Sequence, residues 1–161
     1  MALSAKLEED KMRAGITYVE LIVVTALILT LTTLATINLL GAKHKASMES
    51  TITPLIADLK QQQLKSMIGD TEGQTNSASY GIYFSSSSYT LFRDTYSPAN
   101  PENLEIKLGD NIDVVNPNYS ISFSEGNGEI GNATSVILQN TLTGEQKTIN
   151  LNKYGAITSV N

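Results

Sequence analysis

Apolar positions along this chain fall into three regimes. From Ile16 to Leu40 they run almost continuously, with one charge, Glu20, near the head of the run. From Ile52 to Ile68 they recur three or four residues apart. From Ser79 onward they alternate with polar residues over short stretches bounded by Gly, Asn and Pro. These periods predict, in order, a helix that is apolar all round, an amphipathic helix and a set of strands.

The first run, about 25 residues, is long enough as a helix to cross a hydrocarbon core of ~30 Å. Its threonines (Thr17, Thr25, Thr30, Thr32, Thr33, Thr36) are compatible with that setting if each hydroxyl returns a hydrogen bond to a carbonyl in the preceding turn. The run exceeds the ~7–15 apolar residues of a secretory signal, and no Ala-x-Ala pattern follows Leu40. The segment is expected to stay with the mature protein, and Met1–Gly15 before it to be a short charged leader.

Residues 41–69 are expected to continue the helix as a polar to amphipathic rod. Ile52, Leu55, Ile56 and Leu59 set an apolar stripe, and Leu64, Met67 and Ile68 resume it; Lys60, Gln61, Gln62 and Lys65 fill the other faces. Pro54 removes a backbone donor there. It implies either a kink, the preferred reading, or a second helix capped by Thr53. Gly69-Asp70 is a stop signal. Strands are predicted at Tyr80–Phe84, Tyr89–Phe92, Leu104–Leu108, Ile112–Val115, Tyr119–Phe123, Ser135–Leu138, Thr148–Leu151 and Ala156–Val160. Ser85–Ser88 and Leu142–Glu145 are hairpin turns, and Thr95–Asn103 is a loop. Helix first and strands after is an α+β order, in which Ile52–Ile68 is the soluble helix that covers one face of the sheet.

Composition narrows the chemistry. The 161 residues include no Cys and no Trp, and the single His, His44, lies between Lys43 and Lys45. Disulfide scaffolds, Cys-ligated zinc, thiol nucleophiles and His-based triads are therefore set aside. The leader is neutral, with Lys6, Lys11 and Arg13 against Glu8, Glu9 and Asp10, so the net charge of −5 lies downstream. An acidic head repels phosphate backbones, and no nucleic acid is expected as partner. Lys6, Lys11 and Arg13 before the apolar run and Lys43 and Lys45 after it leave its orientation undecided by charge. Asp110–Asp113 and Glu125–Glu129 carry oxygen ligands but lack the spacing of a calcium loop, so they read as turns; no metal or cofactor is expected. Asn118-Tyr119-Ser120 and Asn132-Ala133-Thr134 match the glycosylation pattern alone. Tyr80, Tyr83 and Tyr89 lie on alternating strands, which places some of them in the core rather than on a binding surface.

Gly15-Ile16 followed by Val19-Glu20-Leu21-Ile22-Val23-Val24 resembles the prepilin signature of type IV pilin-like proteins: a short leader ending in Gly, an apolar first mature residue, and Glu at the fifth mature position inside an apolar helix. The remainder is similar to the GspH/FimT-like minor pilins and type II secretion pseudopilins. That similarity rests on Ala57-Asp58-Leu59-Lys60, Tyr80–Phe84, Tyr89–Phe92, Ile121-Ser122-Phe123 before a Gly-rich turn, and Ile149-Asn150-Leu151 with Gly155. The resemblance implies a pilin-like α+β fold: a long N-terminal helix, half membrane and half amphipathic, packed on a C-terminal antiparallel β-sheet head. It divides the chain into a leader (1–15), a transmembrane or filament-core helix (16–40), its amphipathic continuation (41–69) and a β-rich head (70–161).

The resemblance also implies that a prepilin peptidase cuts between Gly15 and Ile16 and methylates the new amine of Ile16. Glu20 is then the assembly residue, pairing with the free amine of an adjacent subunit. The implied partners are other pilins or pseudopilins, the peptidase, an inner-membrane assembly platform, and membrane lipid before assembly. The implied location is a single-pass inner-membrane protein with its head on the periplasmic side, and a periplasmic or cell-surface filament after assembly. Glu20 has a plainer alternative, a carboxylate snorkelling to the headgroups near the end of the run. A DNA-binding or adhesive minor pilin for uptake or attachment is the alternative function, and the acidic head counts against DNA. An anchored enzyme is disfavoured, since no paired-acid or nucleophile motif stands in a clear setting.

Overall fold

The structure, a computed structural model, describes residues 17–161; Gly15 and Ile16 lie outside the described residues, as does the side chain of His44. One helix, α1 (Tyr18–Ile68), precedes eight strands: β1 (Tyr80–Phe84), β2 (Ser88–Arg93), β3 (Leu104–Lys107), β4 (Ile112–Val114), β5 (Tyr119–Phe123), β6 (Thr134–Asn140), β7 (Gln146–Leu151) and β8 (Ile157–Val160). The architecture is α+β. The chain divides in sequence into two compact units, with the boundary between Ala42 and Lys43. The helix continues through Pro54, so Thr53 caps no second helix. The ring removes one donor, and both Pro54 and Ser50, whose carbonyl that donor would have served, are exposed to water.

The unit Lys43–Asn161 is built on two four-stranded antiparallel sheets, β3-β2-β1-β5 and β4-β6-β7-β8. A single sheet was expected. Asn116 and Asn118, both left-handed, flank Pro117 and turn β5 away from β4, so these consecutive strands join different sheets. β5 pairs with β1 (Ile82 opposite Ile121), while β4 pairs with β6 (Asp113 opposite Gln139). The β1–β2 turn ties the sheets together, because Ser86 and Ser87 carbonyls accept from Val114 N (2.8 Å) and Leu108 N (3.0 Å).

One core serves the helix and both sheets. Met48, Ile52, Leu55 and Leu59 of α1 meet Ile82, Phe84 and Phe123 from one sheet and Val136, Leu138, Ile149 and Leu151 from the other. The strands alternate as their period requires; in β6, Val136, Leu138 and Asn140 are buried and their neighbours are not. The last two turns of the helix depart from the expected stripe. Leu64 and Ile68 are 56% and 66% exposed, whereas Gln62 and Ser66 are buried. Beside Thr51, the buried positions 48, 52, 55, 59, 62 and 66 keep a four-three spacing, and the helix axis honours that spacing over residue polarity.

Two features of the core carry predictions. On the face of β1 away from the helix, Gly81 lies under Phe92; a Cβ there would come within 2.4 Å of Phe92 Cζ and 2.6 Å of the Ile121 carbonyl oxygen. Phe92 is itself covered by Tyr96, which stacks on Tyr83 at 3.9 Å. With a ring that has little room and a backbone oxygen that has none, Gly81→Ala is expected to destabilise this unit by about 1–3 kcal/mol. The measurement is a urea titration of the full chain in detergent, in which the midpoint falls and the slope does not.

The second concerns the phenols. Burial raises Tyr119 to about 12. Burial, and then the Asp58 carboxylate that accepts from its hydroxyl at 2.6 Å, push Tyr89 above the usual phenol range. A folded pKa above the unfolded value near 10 means stability that is complete below pH ~10 and is lost as pH rises through the folded value. Alkaline unfolding is therefore expected between about pH 10 and 12 and above. Tyrosinate absorbance and circular dichroism, titrated together, are expected to change in one step.

Candidate functional site

The site with a chemical problem to solve is the first part of α1. Thr17 begins it: its carbonyl accepts from Leu21 N at 3.0 Å and its hydroxyl from Glu20 N at 3.2 Å. Thr17 is thus the N-cap and Glu20 the third helical residue, in the Thr-x-x-Glu order of a capping box. Thr-x-x-Glu is readable in the sequence, yet this role of Thr17 was missed because the threonine reads as part of the apolar run.

Every residue from Tyr18 to Thr36 is exposed, including Leu29 and Leu31, and the segment is long and apolar enough to cross a membrane. Its 19 residues span roughly 28 Å, close to the thickness of a hydrocarbon core. Five of the six threonines behave as anticipated, Thr17 being the exception as the cap. Thr25, Thr30, Thr32, Thr33 and Thr36 each donate to a carbonyl three or four residues earlier, at 2.7–2.9 Å. With those donors used internally, the surface of the segment beyond the Tyr18 phenol is largely methyl and methylene, and Glu20 is its one carboxylate. Glu20 stands in the first turn with its side chain exposed, where the helix dipole favours an anion.

The structure therefore places one of the three expected site residues, Glu20, at the head of an uncovered apolar helix. Gly15 and Ile16, the expected cleavage pair, lie outside the described residues.

Elsewhere the polar clusters resolve into structural roles. Residues 109–113 form a turn, with Asn111 left-handed and Ile112 N donating to Gly109 O at 3.1 Å. Residues 124–129 form another, closed by Ser124 N to Glu129 O at 2.8 Å. Among the described residues no three His, Asp or Glu side chains gather as a metal site. Tyr80 and Tyr89 are core residues, and Tyr83 is half-buried against Tyr96. A hollow of about 660 Å³ is an open polar basin along residues 74–79 with Arg93, Asp94 and Glu125. Its walls bond to one another, Ser77 to Glu125 and Arg93 to Gln74 and to the Asn76 carbonyl.

No protein-family model, curated protein or solved structure matches this chain.

Proposed function

We propose that this chain is a structural subunit, a minor pilin or pseudopilin, that enters a type IV pilus-like or type II secretion pseudopilus filament through α1. The observation that supports the reading most is an apolar segment, Tyr18–Thr36, with every side chain exposed and one carboxylate at its head, followed in the chain by a β-rich unit with a core of its own. A surface of that kind requires a cover. Lipid covers it before assembly, and the same segment of neighbouring subunits covers it afterwards.

In this reading a prepilin peptidase cuts between Gly15 and Ile16, where the missing glycine side chain leaves the peptide bond accessible, and methylates the new amine. The amine is cationic and joins the positive end of a helix. An unpaired acid in lipid costs ~2.5–3.5 kcal/mol on insertion scales, and so does an unpaired cation. Glu20 of one subunit and the Ile16 amine of the next cancel both costs when they meet, which also sets the axial register. The subunit performs no catalysis; an assembly platform in the inner membrane does the work.

Mass spectrometry of the chain recovered from a host with an active prepilin peptidase tests this. The expected N-terminus is Ile16 carrying one methyl group. An intact leader in that host would overturn the proposal.

A further inference from the structure

Four strands form the edges of the two sheets, and one of them lacks protection. β3 carries Glu105 and Lys107, β4 is three residues long with Asp113 at its centre, and β8 is four residues long. β5 is the longest of the four and has neither a charge nor a proline. A free edge of that kind is a template for pairing with another chain unless something covers it. A hollow of about 210 Å³ touches Ser120, Ile121 and Ser122 of β5 and, across from them, Ile130 and Asn132-Ala133-Thr134. Successive residues of a strand point to opposite faces, so a hollow that touches all three lies along the edge of β5, and β1 occupies the other edge.

Asn132-Ala133-Thr134 is one of two glycosylation patterns in the chain, and the structure separates them. Asn132 and Ala133 are exposed and precede β6, which Thr134 begins. Asn132 N donates to the Ile130 carbonyl (3.0 Å), closing a turn around left-handed Gly131, and a Cβ on Gly131 would meet nothing within 4 Å. Asn132 thus stands on an open turn. Asn118-Tyr119-Ser120 is held instead. Asn118 is left-handed, its N donates to the Phe84 carbonyl (2.7 Å), and its Oδ1 accepts from the Tyr83 hydroxyl (3.3 Å). Tyr119 and Ser120 pair with Phe84 and Tyr83 in the β1–β5 ladder.

We infer that Asn132 is the acceptor for an N-linked glycan whose first sugar lies in the hollow along β5. The donor is a polyprenyl-pyrophosphate oligosaccharide, and a membrane oligosaccharyltransferase carries out the transfer. A bond forms between Asn132 Nδ2 and the anomeric carbon of the first sugar. The bond from that carbon to the pyrophosphate oxygen breaks, Nδ2 gives up one proton, and the polyprenyl pyrophosphate leaves. A sugar in the hollow meets the exposed Ser120 and Ser122, and its bulk keeps a foreign strand off the β5 edge. The inference rests on the filament reading for one point: the unit Lys43–Asn161 stands outside the inner membrane, where such transferases act.

The test uses the full-length chain in a host whose oligosaccharyltransferase modifies Asn-x-Ser/Thr in a control acceptor protein made in the same cells. The intact mass is expected to rise by one oligosaccharide, and the glycopeptide to contain Asn132. The increment is expected to vanish in Asn132→Gln and in Thr134→Ala, to return in Thr134→Ser, and to persist in Asn118→Gln; Asn132 and Asn118 are both exposed, so their substitution leaves the core intact. Leu142→Cys, exposed in a chain with no cysteine, reports the side of the membrane through a membrane-impermeant maleimide applied to spheroplasts. An unmodified Asn132 beside a modified control, with Leu142→Cys labelled, overturns the inference and leaves the filament reading standing. So does a glycan found on Asn118 alone. Labelling of Leu142→Cys only after lysis overturns both.

Discussion

Glu20→Gln is expected to leave the chain anchored in the membrane and to lower its recovery in assembled filaments by tenfold or more. Two roles compete for this carboxylate, and their magnitudes separate them. As the third residue of a capped helix, Glu20 contributes roughly 0.3–1 kcal/mol through the dipole. A helix of 51 residues does not depend on that amount. As the partner of a neighbouring amine in lipid, it removes a penalty of ~2.5–3.5 kcal/mol for the amine left alone, which corresponds to a factor of about a hundred in the assembly equilibrium. Glutamine keeps the shape and the capping pattern and loses only the charge. If capping were the whole role, Glu20→Gln would assemble as well as the unsubstituted chain, and Thr17→Ala, which removes the cap hydroxyl for about 1 kcal/mol, would be the worse variant. Carbonate extraction checks anchoring, and quantitative immunoblotting of sheared filaments checks assembly. Full recovery of Glu20→Gln would refute the pairing.

The strands were legible because they obey one rule each. Tyr80–Phe84, an apolar run between serine-rich stretches, and Tyr119–Phe123, alternating between Asn118 and a Gly-rich turn, both occur with the expected bounds. Their partners were less legible. Register and sheet membership depend on which way the backbone leaves each turn, and nothing in the alternation of β4 or β5 records that Asn116 and Asn118 are left-handed. The helix shows the opposite failure. Counting apolar residues places Leu64, Met67 and Ile68 on the core stripe, yet a rigid helix presents residues by angle. Once Met48, Ile52, Leu55 and Leu59 face the sheets, Gln62 and Ser66 must face them too. At the candidate site, the apolar length, the lone carboxylate and the hydroxyl back-bonding were all readable, since each is local to the helix. The cover proposed for that helix, lipid and then neighbouring subunits, is another molecule, and no intrachain pattern encodes it.

Ser66 is where that angular argument has its largest energetic consequence. It is completely buried, and it holds the end of α1 to the strands by three bonds. Its hydroxyl donates to the Phe123 carbonyl (3.0 Å) and accepts from Tyr80 N (2.8 Å), while its own carbonyl accepts from Gly126 N (2.9 Å). Ser66→Ala keeps the backbone bond and deletes the hydroxyl. A buried N–H at the start of β1 and a buried carbonyl at the end of β5 then lose the same partner, at about 1–3 kcal/mol each. The gap left by one oxygen is too small for a water to restore either bond. The expected loss is about 4 kcal/mol, a large share of the 5–15 kcal/mol that holds a domain of this size. Leu64→Ala and Ile68→Ala, at positions the apolar count marks as core, are expected to fall within about 0.5 kcal/mol of the unsubstituted chain, because both side chains already sit in water. Urea titrations of the three full-length variants in the same detergent rank them. A Ser66→Ala midpoint equal to that of Ile68→Ala would show that the end of α1 is not docked through this hydroxyl.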